Sequence, residues 1–238
     1  MSATVLLVHG AFADGSAWNK VMAHLREAGI DARAVPNQLR GLSADGEYVA
    51  STAAQTEGDV VLVGHSYGGP VITYAGSSAE NVKALVFVAA FALDKGESAQ
   101  DAPRAFPPSQ LVDALRPWSY PGSDVPEFTV RADEYRSVFA ADVTDEEAAA
   151  GAATQRPASA IAFGEPLSVE PAWKRLPTWW VIPGADNAIN PDYQKATAER
   201  IGAKAIVLEG GSHSIAVSRS REVADAIIEA VRSLSRTS

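Results

Sequence analysis

Ser66 is the residue in this chain whose setting is most specific for covalent chemistry. It lies in Gly64-His65-Ser66-Tyr67-Gly68, directly after the apolar, β-branched run Asp59-Val60-Val61-Leu62-Val63. That order reads as a buried strand meeting a helix through one sharp turn. A serine at the tip of such a turn is held in a strained backbone conformation, with glycines on either side because side chains there would crowd the neighbouring elements. The turn lifts the hydroxyl out of the sheet and aims the first amides of the next helix at the same point. Gly-x-Ser-x-Gly also turns up in ordinary glycine-rich loops, so the flanks matter. Here the strand precedes it, and Gly69-Pro70-Val71-Ile72 follows, with proline suited to a first helical turn.

A serine hydroxyl is a poor nucleophile near neutral pH and needs a base within hydrogen-bond reach. The chain has four histidines, so the candidates can be compared one by one. His9 closes the first apolar run and suits a bracing role for the loop that starts at Gly10. His24 lies on a helix, and His65 precedes the serine and is expected to point the other way. His213 sits in Glu209-Gly210-Gly211-Ser212-His213-Ser214, a glycine-rich loop after the last strand, free to turn toward Ser66. The third member must orient the imidazole and stabilise its charged form. Asp186, in Ile182-Pro183-Gly184-Ala185-Asp186-Asn187, is favoured over the rival Asp94. Two backbone amides would then hold a developing oxyanion: Tyr67 at the helix start, and Ala11, preferred to Phe12, in the glycine turn after the first strand.

The elements that must position these groups alternate along the first third of the chain. A strand at 4–8, an amphipathic helix at 17–28 ending at Gly29, a strand at 32–35 stopping at Pro36 and a weakly periodic helix at 45–57 lead to the serine turn. Another buried strand follows at 84–90. Unbroken apolar strands alternating with helices argue for a parallel sheet covered on both faces. The alternation stops after Asp94 and resumes with a strand at 178–182, a helix at 191–201, a strand at 205–208 and a last helix at 221–234. Between them, residues 104–172 are rich in Pro, Ala and acid, lack a strong strand pattern, and contain a capping box at Thr144-Asp145-Glu146-Glu147. The expected division is a core of 1–103 and 173–238 carrying an inserted lid of 104–172. The lid should sit over the C-terminal ends of the strands, where open α/β sheets bind ligands. Its aromatics (Phe106, Trp118, Tyr120, Phe128, Tyr135, Phe139, Phe163) are mostly expected in its own core. Phe12, Trp118 and Phe128 are taken as substrate-pocket candidates.

Composition bounds the partners. With 238 residues and 47% hydrophobic content, the chain suits one large α/β domain. The net charge of −9 argues against nucleic acid, which needs a basic face. Residues 104–172 hold 11 Asp/Glu against 5 Arg, a balance that discourages polyanionic substrates. The absence of cysteine excludes disulfides and thiolate sites and fits a cytoplasmic home. No run approaches a membrane span, and Met1 leads into the first strand without a basic leader. No metal or other cofactor is expected, nothing in the sequence speaks to the oligomeric state, and the expected partner is a small ester.

Taken together, Leu7-Val8-His9-Gly10-Ala11, Trp18, Gly64-His65-Ser66-Tyr67-Gly68-Gly69, and the Asp186 and His213 loops resemble the α/β-hydrolase superfamily. The order Ser66, Asp186, His213 is that fold's order of nucleophile, acid and base. The likeness is greatest to its small esterases related to plant methylesterases and hydroxynitrile lyases. It covers nearly the whole chain and is weakest in the lid. The resemblance implies an eight-stranded, mostly parallel sheet, a compact lid, no cofactor and the triad named above. Two positions depart from the lyases: where they carry a lysine after the catalytic histidine this chain has Ser214, and where they carry a hydroxyl residue beside the first oxyanion loop it has Gly10. Dehalogenases and epoxide hydrolases of the superfamily use an aspartate where Ser66 stands.

The resulting expectation is hydrolysis of a small, largely apolar carboxylic ester through an acyl-enzyme, with activity falling in mild acid as His213 takes up a proton. Two alternatives stand beside it. One is a cofactor-free lyase or biosynthetic step on the same triad. The other is a non-catalytic small-molecule receptor, which would have no need of an intact triad.

Overall fold

A computed structural model of the chain describes residues 3–235. Its frame is a six-stranded sheet whose strands are all parallel. They are β1 (Thr4–Val8), β2 (Ala32–Val35), β3 (Val60–His65), β4 (Val82–Val88), and two later strands, Thr178–Pro183 and Lys204–Leu208. The first helices are α1 (Asn19–Glu27), α2 (Leu42–Ala54) and α3 (Gly68–Ser78). The fold is the expected one, but the sheet has six strands rather than the eight implied by the resemblance. The chain enters at β1, an interior position, and steps out once to β2. No further strand among the described residues extends that flank.

Period-two burial explains the layering. Leu6, Val8, Leu62, Leu85, Phe87 and Trp180 face one core with α2 and α3, while Val5, Leu7, Val61, Val63, Val86 and Val181 face the other with α1 and the last helix. Strands buried on both faces need apolar residues at every position, which accounts for the unbroken runs.

Between β4 and the Thr178 strand, the chain folds as α4 (Leu111–Ala114), β5 (Leu115–Trp118), β6 (Glu127–Val130), α5 (Ala132–Phe139), α6 (Asp145–Ala153), β7 (Ala158–Ser159) and α7 (Ala160–Gly164). β5, β6 and β7 form a separate antiparallel sheet, correcting the expectation that this region has no strand of consequence. Its strands are short and half exposed, and Pro117 is tolerated because β5 is an edge. Such strands leave little periodic signal. The capping box does form: Thr144 Oγ1 accepts from the Glu147 amide, and the Glu147 carboxylate accepts from the Thr144 amide, opening α6. The chain then completes β8 (Thr178–Pro183), α8 (Pro191–Arg200), β9 (Lys204–Leu208), α9 (Ile215–Ser218) and α10 (Ser220–Leu234).

The sheet order β2-β1-β3-β4-β8-β9 reverses direction between β1 and β3. Parallel register pairs Val8 with Gly64, so the loops leaving these two strands emerge side by side. A crevice at such a reversal is where open α/β sheets hold their ligands.

Candidate active site

Ser66 leaves β3 with a φ of +53°, in the left-handed region that a non-glycine residue adopts only where its surroundings enforce it. Enforcement comes from both sides. Its amide donates to Val88 O (3.1 Å), and its carbonyl accepts from the Gly69 and Phe91 amides (3.0 and 3.3 Å). Glycine is required around it by close approach. A Cβ on Gly64 would lie 2.4 Å from Gly68 O, and one on Gly10 would lie 2.6 Å from Ser66 Cβ. The second distance also shows how tightly the turn after β1 is pressed against the serine.

Asp186 and His213 are brought together by the loops leaving β8 and β9. Those loops are laced by backbone bonds from Gly184 to Leu208 O (2.9 Å) and from Ala185 to Gly211 O (2.9 Å). Gly210 has a φ of +72°, giving the β9 loop its turn. His213 Nδ1 donates to Asp186 Oδ2 at 2.8 Å, and both side chains are wholly buried. The carboxylate is saturated by other donors: Ala188 and Ile189 amides on Oδ1 (2.8 and 2.9 Å) and Gln194 Nε2 on Oδ2 (2.9 Å). Those donors occupy its remaining lone pairs and fix the carboxylate's orientation toward the imidazole. His213 Nε2, the remaining ring nitrogen, has no hydrogen-bond partner among the described residues. The rival Asp94 is instead half exposed and paired with Lys174 (2.9 Å).

The other histidines serve as supports. His9 donates from Nδ1 to Gly10 O (2.9 Å) and accepts at Nε2 from the Asn37 amide (3.1 Å), bracing the turn as expected. Burial holds its pKa below the ordinary value, so it stays neutral, as that pair of bonds requires. His65 does more than point away. Its Nε2 donates to His213 O (2.9 Å), and its ring lies 4.7 Å from the His213 ring. Burial above all, and then the facing His213, push its pKa down to about 3. Phe139 closes edge-on over His213 at 4.5 Å, and its carbonyl accepts from Ser214 Oγ (2.9 Å). The Phe139 and His65 contacts were not foreseen, because each joins elements far apart in sequence.

The Tyr67 amide opens α3, where no intrahelical acceptor exists. Ala11 and Phe12 form the turn after β1 and line the same cavity as Ser66. That cavity encloses about 600 Å³. Phe12, Phe91, Phe106, Phe128 and Phe163 supply its aromatic wall, with Leu115 and Ile189 among its aliphatic lining. Phe163 stacks on Phe12 (5.9 Å) and leans on Tyr67 (6.0 Å). Phe12 and Phe128 both line this cavity with Ser66. Trp118 does not: it is 42% exposed, donates from its indole to Thr129 Oγ1 (2.8 Å) and carries the Arg116 guanidinium over its ring. It sits on the outer face of an edge strand, a placement its residue type could not reveal. A smaller cavity of about 230 Å³ lies beside His65, Trp18 and Tyr135, with no Ser66 in its wall. Among the described residues, no cluster of His, Cys, Asp and Glu is arranged to hold a metal ion, and no helix is long and apolar enough to cross a membrane.

Comparison with known proteins agrees with this architecture. A family model described as the alpha/beta hydrolase family matches residues 5–226. A carbendazim-hydrolyzing esterase of Nocardioides sp. (strain SG-4G) is 34% identical over 120 residues, which is 44% of this chain and only 50% of that protein. Among solved structures, a methylesterase from Arabidopsis superposes with a TM-score of 0.81 at 20% identity, covering 97% of this chain and 99% of the other. Polyneuridine aldehyde esterase gives 0.80 at 20% identity, covering 96% and 99%. An extracellular alpha/beta-hydrolase from a Paenibacillus species gives 0.77 at 23% identity, covering 96% and 98%. At these identities the superpositions speak for the fold.

Proposed function

Because the chain belongs to the alpha/beta hydrolase family, we propose that it is a carboxylic ester hydrolase that works through Ser66, His213 and Asp186. One observation carries the reading. The buried bond from His213 Nδ1 to a fully solvated-by-protein Asp186 leaves Nε2 as the basic nitrogen, on a loop anchored by the residue preceding the strained Ser66. His213 Nε2 takes the proton of Ser66 Oγ, and Oγ attacks the ester carbonyl carbon. The amides of Tyr67 and Ala11 receive the oxyanion. His213 returns the proton to the departing alcohol, leaving an acyl-serine. Water, deprotonated by the same nitrogen, then releases the acid and restores Ser66. Among the described residues, Arg104 is the one charged side chain at the cavity wall, and it is exposed and paired with Asp101 (2.8 Å). An uncharged, largely apolar ester suits such a lining. The esterase names borne by several similar proteins support the same reading.

A lyase reading is disfavoured at Gly10. A side chain there would meet Ser66 Cβ at 2.6 Å and His65 O at 2.9 Å, so this turn has no room for the hydroxyl residue the lyases carry. The test is a panel of p-nitrophenyl and methyl esters of graded acyl size, turned over by wild type and by Ser66→Ala. Hydrolysis that depends on Ser66 and shows a size optimum supports the proposal. Full turnover in Ser66→Ala, or a folded wild type inert to every ester while small molecules still raise its Tm, refutes it. The second of those results would favour a receptor.

A further inference from the structure

The two turns assigned to the oxyanion are tied to one short loop, residues 37–41, between β2 and α2. On one side, Asn37 holds His9: its amide donates to His9 Nε2 (3.1 Å), and its side-chain nitrogen donates to His9 O (3.0 Å). His9 passes the constraint on by donating to Gly10 O (2.9 Å), one residue before Ala11. On the other side, the Arg40 amide donates to both oxygens of Asp45 (3.3 and 3.2 Å), and Tyr67 donates its hydroxyl to Asp45 Oδ2 (2.9 Å). Asn37, Asp45 and Tyr67 are all buried, and nothing in the triad chemistry uses any of their side chains. Leu39 at the centre of the loop takes a φ of +60°, a conformation that costs free energy unless its surroundings impose it.

The same loop is gripped by the segment between β4 and β8. Leu39 O accepts from the Ser159 amide (2.9 Å), Arg40 forms an ion pair with Glu127 (2.7 Å), and the Arg40 guanidinium lies over the Tyr120 ring (4.7 Å). A donor pair works only if both amides sit at hydrogen-bond distance from where the oxyanion will form, and small displacements weaken it steeply. Building on the hydrolase reading above, we propose that the 37–41 loop is the common anchor of both oxyanion amides. The Asp45–Tyr67 hydrogen bond and the Asn37–His9 pair are its two positioning arms.

The experiment uses Tyr67→Phe and Asn37→Ser beside Ser66→Ala, with Asp45→Asn as a conservative companion that keeps an oxygen for the phenol. Three quantities are measured for each: kcat and KM on a Ser66-dependent ester, affinity for an alkyl boronic acid that mimics the tetrahedral oxyanion, and Tm. Complete loss of one oxyanion donor costs about 10²–10³ in rate, so a loosened one should cost roughly tenfold. The expected result is a kcat lowered about tenfold in Tyr67→Phe and Asn37→Ser, a parallel weakening of the boronate, and KM within about twofold of wild type. Asp45→Asn should fall between wild type and Tyr67→Phe. A merely structural role would lower Tm without splitting kcat from KM or moving boronate affinity, and that result overturns the inference. Turnover lost in Ser66→Ala but unchanged in kcat for both arm variants overturns it while leaving the hydrolase reading intact. Turnover that survives Ser66→Ala overturns both.

Discussion

Acid should destabilise this protein through His65, and the size of the effect follows from its surroundings. The ring is buried between the serine turn and His213, and its pKa is pushed down to about 3 from an ordinary value of 6.5. Between those values the unfolded chain binds a proton that the native state refuses. Stability therefore rises with pH across that window and is lost as pH falls through 6.5 toward 3. Integrating the linkage from about pH 7 to about pH 4.5 gives a loss of about 2–3 kcal/mol from this one residue. For a chain of this size that corresponds to a fall in Tm of roughly 5–10 °C. The perturbation is His65→Gln, which removes the titration while keeping an N–H to donate to His213 O. Urea unfolding followed by tryptophan fluorescence at the two pH values measures the difference. His9, also held neutral by burial, contributes in the same direction in both proteins, whereas burial raises the Asp45 carboxyl and acts against them. Those terms cancel in the comparison. Wild type should lose about 2–3 kcal/mol more than His65→Gln on acidification. Equal losses would refute the argument that a refused proton at His65 governs the acid limb.

Asp186→Asn should fold normally yet lose kcat by a factor on the order of 10⁴, because the amide no longer fixes the His213 tautomer or stabilises its charged form. Steady-state kinetics on a p-nitrophenyl ester checks it. Gly10→Ala should abolish most turnover and destabilise by about 1–3 kcal/mol, since its methyl group meets backbone and the Ser66 Cβ rather than a flexible side chain; urea midpoints and kinetics together test both halves. Phe128→Ala should move the acyl-size optimum toward larger groups, whereas Trp118→Ala should leave kcat and KM as they are, because only the former lines the cavity.

Much of the candidate site was legible in residue types and order. Ser66 was recognisable because a strained strand-to-helix turn demands glycines at fixed offsets, and those demands are local. His213 and Asp186 were picked out by the loops after two largely apolar runs, of which Thr178–Pro183 is buried throughout and Lys204–Leu208 pairs with it as an exposed edge strand. The Thr144 capping box was likewise local, its donors and acceptors being a single turn apart.

What lay beyond the sequence involves contacts between segments distant in the chain. The short strands β5, β6 and β7 are stabilised by pairing with each other, so none carries its own periodic signature. Trp118 and Phe128 are both aromatic residues in that small sheet, yet only packing turns one to solvent and the other to the cavity. His65 and Phe139 reach His213, and Asn37 and Asp45 reach the two turns beside Ser66, across separations that no motif spans. Local backbone requirements made the proposed nucleophile, base and acid readable in the sequence. The walls of the cavity and the bonds that hold the site rigid were decided by tertiary packing, because burial and long-range hydrogen bonding exist only once the whole chain has folded.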